Sequence, residues 1–198
     1  MYATLQTPPA STPVSLAETK VHLRVEVPDD DTLITGYIEA ATGIAEEFLR
    51  RRLVEQTWRF YLDAFPANGS SILVPASPLA SISGFTYKDP ETGADTTVTA
   101  SDYSVEAPSG PNPARGKIVL AFEKEWPTAR EEPNAVKFDA VVGYGAASEV
   151  PAAIRSAILL LVGNLYANRE SVVTGTIASK LPMSAEFLLS PFRMFEFK

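Results

Sequence analysis

The chain contains no cysteine. This excludes disulfides, thiolate nucleophiles and cysteine-ligated metal centres. Its single histidine, His22, lies between Val21 and Leu23. It reads as a structural residue of a short helix, because a Ser-His-Asp arrangement would have to use it as base and no Gly-x-Ser-x-Gly elbow is present. No Gly-x-Gly-x-x-Gly or Walker-type loop occurs, and "GYGAAS" reads as a strand exit rather than a phosphate cradle. Long apolar runs are also missing: the run Ala157 to Val162 ends at Gly163-Asn164, far short of the ~18 residues that span a bilayer. Positive charge is in deficit. Seventeen basic against 24 acidic residues give a formal charge of −7, which disfavours binding along a phosphate backbone without excluding a protein that lets DNA pass unheld. The start, "MYATLQTPPASTPVSL", has no basic-then-apolar pattern of a signal peptide, and residues 1–14 are expected to form a flexible arm.

What is present points to an α+β protein: a small helical bundle, made of N-terminal helices plus a C-terminal helix, with an inserted antiparallel β region. The 198 residues are 45% hydrophobic and 21% charged, enough to bury a core. Sixteen prolines exceed the average of about 5% and imply many turns. Ser15 followed by Glu18 is a capping box opening a helix over about 16–23. Asp29, Asp30 and Asp31 supply N-cap candidates for a second helix over about 32–52. Leu33, Tyr37, Ile44 and Phe48 form one stripe of that helix, with Ile34, Ile38, Ala41, Ala45 and Leu49 beside it. Glu46 and Glu47 precede Arg50 and Arg51 by four, and Arg50, Arg51 and Arg52 read as a solvated helix terminus. The three aspartates could hold a divalent cation, but the Gly and distal Glu of an EF-hand loop are missing.

The period then changes from 3.6 to 2. Trp58, Phe60 and Leu62 alternate with Arg59, Tyr61 and Asp63, and short strands follow up to "AVKFDAVVGY". Proline- and glycine-rich loops separate them, among them "DPETGADT" and "APSGPNPARG". Residues 54–149 are therefore expected to form the inserted antiparallel β domain, and 15–53 with 150–182 the helical core. The segment from Val150 is a helix that is apolar round most of its circumference. Ile154, Ala157, Ile158, Leu161 and Leu165 share a face, with Leu159, Val162 and Tyr166 on a second and Leu160 on the opposite flank. A helix apolar on several sides is buried on several sides, here against the chain's own body on one face and a neighbouring copy on another. Residues 183–198 carry Phe187, Phe192, Phe195 and Phe197 and are expected to be an aromatic docking tail, separable from a folded body. Exposed, they would form a patch of the kind that marks interaction sites.

"PVSLAETKVHLRVEVPDDDTLITGYIEAAT", "QTWRFYLDAFP" and "YGAASEVPAAIRSAILLLVGNLYANRE", in this order and spacing, resemble the head–tail connector (adaptor, head-completion) family of long-tailed double-stranded DNA phages and phage-like gene transfer agents. The most specific piece contains Pro151, Ile154, Arg155, Tyr166, Arg169 and Glu170. Where the family often has His and an aromatic residue before the tyrosine, this chain has Asn164 and Leu165. The resemblance implies a non-enzymatic structural virion protein without cofactor or metal, made in the host cytoplasm and placed at the head–tail junction. It implies a ring of twelve copies under a portal protein, docking a stopper or tail-completion protein and extending the channel through which DNA passes without sequence-specific binding. No membrane is involved. The candidate subunit or portal interface comprises Arg155, Leu159, Leu160, Tyr166, Asn168, Arg169, Glu170, Phe187, Phe192, Phe195 and Phe197. Two other readings compete. A β-rich virion module binding a receptor or carbohydrate would expose Trp58, Tyr87 or Tyr103. A carboxylate hydrolase would need two facing acids, and the acidic pairs at Asp29–Asp31 and Glu131–Glu132 read as capping and loop residues.

Overall fold

The computed structural model describes residues 1–168 and 182–194. The chain folds as two compact units. One comprises residues 1–9 and 55–143, the other 10–54 and 144–198. No helix among the described residues is long and apolar enough to cross a membrane.

The helical unit contains α1 (Leu16–Leu23), α2 (Asp31–Leu49), α3 (Ala152–Ala167) and α4 (Met183–Leu189). Ser15 caps α1 by accepting the Glu18 amide at 3.1 Å. Only the serine half of the expected capping box forms, because the Glu18 carboxylate is engaged by Arg155 on α3 and joins two helices instead. α2 stops three residues earlier than its charge pattern suggests. Arg50 adopts the left-handed conformation at φ 55°, and the amides of Arg50 and Arg51 bond back to Glu47 and Glu46 carbonyls at 3.3 and 3.2 Å, a common way to end a helix. Of the two stripes on α2, Ile34, Ile38, Ala41, Ala45 and Leu49 are buried, whereas Ile44 of the other stripe is exposed. They pack with Ile154, Ala157, Ile158, Leu161 and Val162 of α3, and with Ala185 and Leu189 of α4. Alanines at Ala41, Ala45 and Ala157 let the helices approach, and each large side chain buried contributes about 1.5–3 kcal/mol.

The C-terminal segment is therefore part of this core rather than a separable tail. Ala185 and Leu189 are fully buried. A 3₁₀ turn over Ser190–Phe192, with Pro191 breaking the helix, leads to Met194, whose amide bonds the Leu49 carbonyl at 3.0 Å. Removing residues from Met183 onward would strip the core it was expected to leave intact.

The β unit contains β1 (Tyr2–Thr7), β2 (Gln56–Leu62), β3 (Ile72–Leu73), β4 (Leu79–Lys88), β5 (Asp95–Thr97), β6 (Tyr103–Glu106), β7 (Lys117–Leu120) and β8 (Val136–Val142). Two antiparallel sheets form, one in the order β1-β2-β8-β4-β5 and one in the order β3-β7-β6. β8 alternates buried and half-buried positions along its whole length, as a central strand with one core face should. Phe138 stacks on Phe60 at 5.4 Å and meets Phe85 edge-on at 5.7 Å. The first residues do not form the expected flexible arm. Tyr2, Ala3, Thr4 and Leu5 pair with Tyr61, Phe60, Arg59 and Trp58, so the β unit draws on both sides of the first two helices and is not a simple insertion. Tyr2 and Thr4 favour a strand, but the partner lies more than fifty residues away, where a local pattern cannot show it.

Gly116 sits beside this core with no room for a side chain: a Cβ there would overlap the Leu79 side chain. Gly116→Ala is expected to lower stability by about 1–3 kcal/mol through overpacking, measured by denaturant unfolding followed by tryptophan fluorescence.

Candidate interaction surface

α3 places its polar groups at both ends. Near its start the Arg155 guanidinium donates through Nη2 to both Glu18 carboxylate oxygens at 2.8 and 3.0 Å. Its Nε is buried without a hydrogen-bond partner among the described residues. Near its end the Tyr166 hydroxyl donates to Asp30 Oδ2 at 2.5 Å. Asp31 takes the Lys20 ammonium at 2.5 Å. The aspartates expected to cap α2 thus fasten α3 and α1 to it: Asp30 stands at the N-cap position, but its side chain makes no capping bond. His22 is exposed, and Gly163 of α3 faces His22 and Leu23 of α1.

The oily circumference of α3 is largely used inside the chain. Leu159, Leu160, Leu165 and Tyr166 are half-buried and pack against the helical core, and no large apolar residue of α3 is exposed. Three helices of its own unit pack around it, so only the half-exposed margins remain for a neighbour. Asn168, which ends α3, is exposed and bonds the Asn164 carbonyl at 3.0 Å through both its amide and its side chain. Arg169, Glu170, Phe195 and Phe197 lie outside the described residues.

Among the described residues of the helical unit, the apolar side chains left most uncovered are Val21 on α1, at 80% exposure, and two on α4. Met183 and Phe187 are 84% and 78% exposed, and their spacing of four puts them on one face. The opposite face carries the buried Ala185 and Leu189. Phe192 is half-buried, packs on the core, and accepts a hydrogen bond at its carbonyl from Arg51 Nε at 2.7 Å. Arg193 lies over the Phe48 ring, 4.9 Å from its centre, a cation–π contact. The C-terminal segment is thereby clamped to the end of α2, and the Met183–Phe187 face is presented on a fixed body.

Arg51 is the residue a pattern reading misplaced. Of the basic triplet it alone is buried, at 4% exposure. Burial holds its pKa below the usual arginine value, opposed by the nearby Tyr144 phenol, whose own pKa burial pushes up. The left-handed turn at Arg50 is what swings Arg51 inward, and no charge pattern announces it. Arg52 takes Glu46 at 2.9 Å, and Glu46 also accepts the Leu53 amide. That pair spans six positions because the helix has already ended.

On the β unit, Trp58, Tyr87 and Tyr103 are half-buried against the β core and do not form an exposed aromatic platform. Arg59 is held charged chiefly by its paired hydrogen bonds to Asp139 at 2.7 and 2.8 Å. An open cleft lined by Pro66, Gly69, Lys124, Glu125 and Trp126 contains one carboxylate, not the facing pair a hydrolase requires. Among the described residues no three metal-ligating side chains come together.

The class defined by this arrangement is an α+β protein whose α2–α3–α4 bundle presents an apolar patch and whose β unit begins at the first residues of the chain. Residues 13–88 match the model of the "Phage gp6-like head-tail connector protein" family. The whole chain matches the fold of three solved chains. One comes from "Neck of empty GTA particle computed with C6 symmetry", with TM-score 0.80 and 22% identity. A second comes from "Virion of native gene transfer agent (GTA) particle", with TM-score 0.79 and 22% identity. The third comes from "Neck of native GTA particle computed with C12 symmetry", with TM-score 0.76 and 20% identity. Each match covers 100% of this chain and 98% of the other. No curated protein sequence matches. The resemblance to head–tail connector proteins is thus shown by a family match over the first two helices and the strands that follow, and the α+β fold by likeness over the full length.

Proposed function

We propose that this chain is a structural, non-enzymatic virion protein of the head–tail junction, assembling as a ring of twelve copies beneath a portal protein. The ring joins head to tail, offers a docking surface to a stopper or tail-completion protein, and extends the channel for DNA. The observation that carries this reading is the full-length fold likeness to chains of neck structures solved with sixfold and twelvefold symmetry, together with the connector-family match. A cyclic ring needs two different patches that meet head to tail. The Met183–Phe187 face supplies one, and Arg155, Leu159, Leu160, Tyr166 and Asn168 border the α3 margin available for the other. The acidic balance of −7 suits passage of DNA without retention.

Mixing the purified chain with portal-bearing particles and imaging them by electron microscopy tests the proposal. A ring of added density at the portal vertex is the expected result. Particles that gain no ring at saturating protein would overturn it.

A further inference from the structure

The two edges of the five-stranded sheet are not alike. β5 is three residues long, and its Asp95 carboxylate is held by Lys88 at 3.0 Å and Lys137 at 2.6 Å. Short length and charge are the usual protection of an edge. β1, at the other edge, is six residues long, contains no charged residue or proline, and is exposed at Tyr2 and from Leu5 to Thr7. Its side chains are ordered around the β2 pairing. Ala3 and Leu5 lie on the core side opposite Phe60 and Trp58, where Leu5 is still 44% exposed. Tyr2 and Thr4 lie on the outer side, with Tyr2 stacked on Tyr61 at 4.6 Å. Beyond β1 the backbone donors and acceptors that do not face β2 have no strand against them in the described sheet.

We infer that β1 is a docking edge that accepts an extended segment of a different polypeptide as a sixth strand. The free row of amides and carbonyls selects an extended backbone. The uncovered flank of Leu5 on the core side, and hydroxyl-bearing Tyr2 and Thr4 on the outer side, select a segment in which aliphatic and uncharged polar side chains alternate. A second copy fits less well. A two-fold β1 pair that keeps both core faces on one side has Thr4 at its centre and sets the irregularity after Leu5 against the partner's Tyr2, already stacked on Tyr61. The other edges available on a neighbouring copy, β3, β5 and β6, have two, three and four residues, all shorter than β1. This docking edge does not depend on the ring proposal and can hold or fail without it.

The test uses the full chain, isotope-labelled, with an end-blocked octapeptide of alternating valine and threonine as probe, read by amide exchange. Saturating peptide is expected to slow exchange at alternate amides of Tyr2–Thr7 by about tenfold. Leu5→Lys, a charge placed on the edge, is expected to weaken peptide binding by about tenfold, whereas Leu5→Val retains it. Absence of any β1 protection, or protection confined to β5 or β6, would overturn the inference. So would β1 protection that rises with protein concentration without peptide and tracks dimer formation, since the occupant would then be a second copy.

Discussion

Met183→Gln combined with Phe187→Gln is expected to abolish assembly on portal-bearing particles while leaving the chain folded. The two side chains are 84% and 78% exposed, so their replacement removes little from the folded state. Covering one such side chain in an interface is worth about 1.5–3 kcal/mol. Losing both, at the low end about 3 kcal/mol per contact, weakens each contact by about 150-fold, and a ring repeats the loss at every copy. Glutamine favours helix, so α4 should persist. Circular dichroism checks the fold, and co-sedimentation with particles checks docking. Assembly at wild-type protein concentration would remove α4 from the interface. Point variants are required here, because truncation from Met183 would also take away the buried Ala185 and Leu189.

Ile158→Ala is expected to destabilise the helical unit by about 2–5 kcal/mol, a large fraction of the ~5–15 kcal/mol that holds a typical domain. Ile158 is fully buried in the middle of α3, within the cluster shared by α2, α3 and α4, and helices in contact on several sides cannot easily close the cavity. The chain separates the two units spectroscopically. Its two tryptophans, Trp58 and Trp126, both pack against the β core, whereas four α-helices lie in the other unit. The denaturation midpoint followed by far-ultraviolet dichroism should fall, and the midpoint followed by tryptophan fluorescence should move less. A helical midpoint unchanged within error would mean that α3 is not part of that core.

Much of this was readable from local pattern. The cap at Ser15 located α1, the expected start of α3 at Val150 lies two residues before the observed one at Ala152, and the alternation through Trp58, Phe60 and Leu62 located β2. What could not be read depends on partners distant in sequence or on one backbone angle. β1 becomes a strand only because β2 lies beside it. The inward turn of Arg51 follows from a positive φ at Arg50. Counting phenylalanines drew attention to the C-terminal segment for a partly mistaken reason: small and aliphatic residues, Ala185 and Leu189, tie it down, while Phe187 points away. The apolar excess of α3 was real in composition, but α1, α2 and α4 of the same unit absorb most of it. The exposed apolar patch moved one helix along the chain as a result.

The account places that patch, Met183 with Phe187, at the contact made on assembly, and methionine oxidation reads it directly. In the free chain Met183 should oxidise quickly and Met194, 8% exposed, slowly. On portal-bearing particles Met183 should become as protected as Met194. Oxidation of Met183 at the same rate in the assembled and free states would contradict the account.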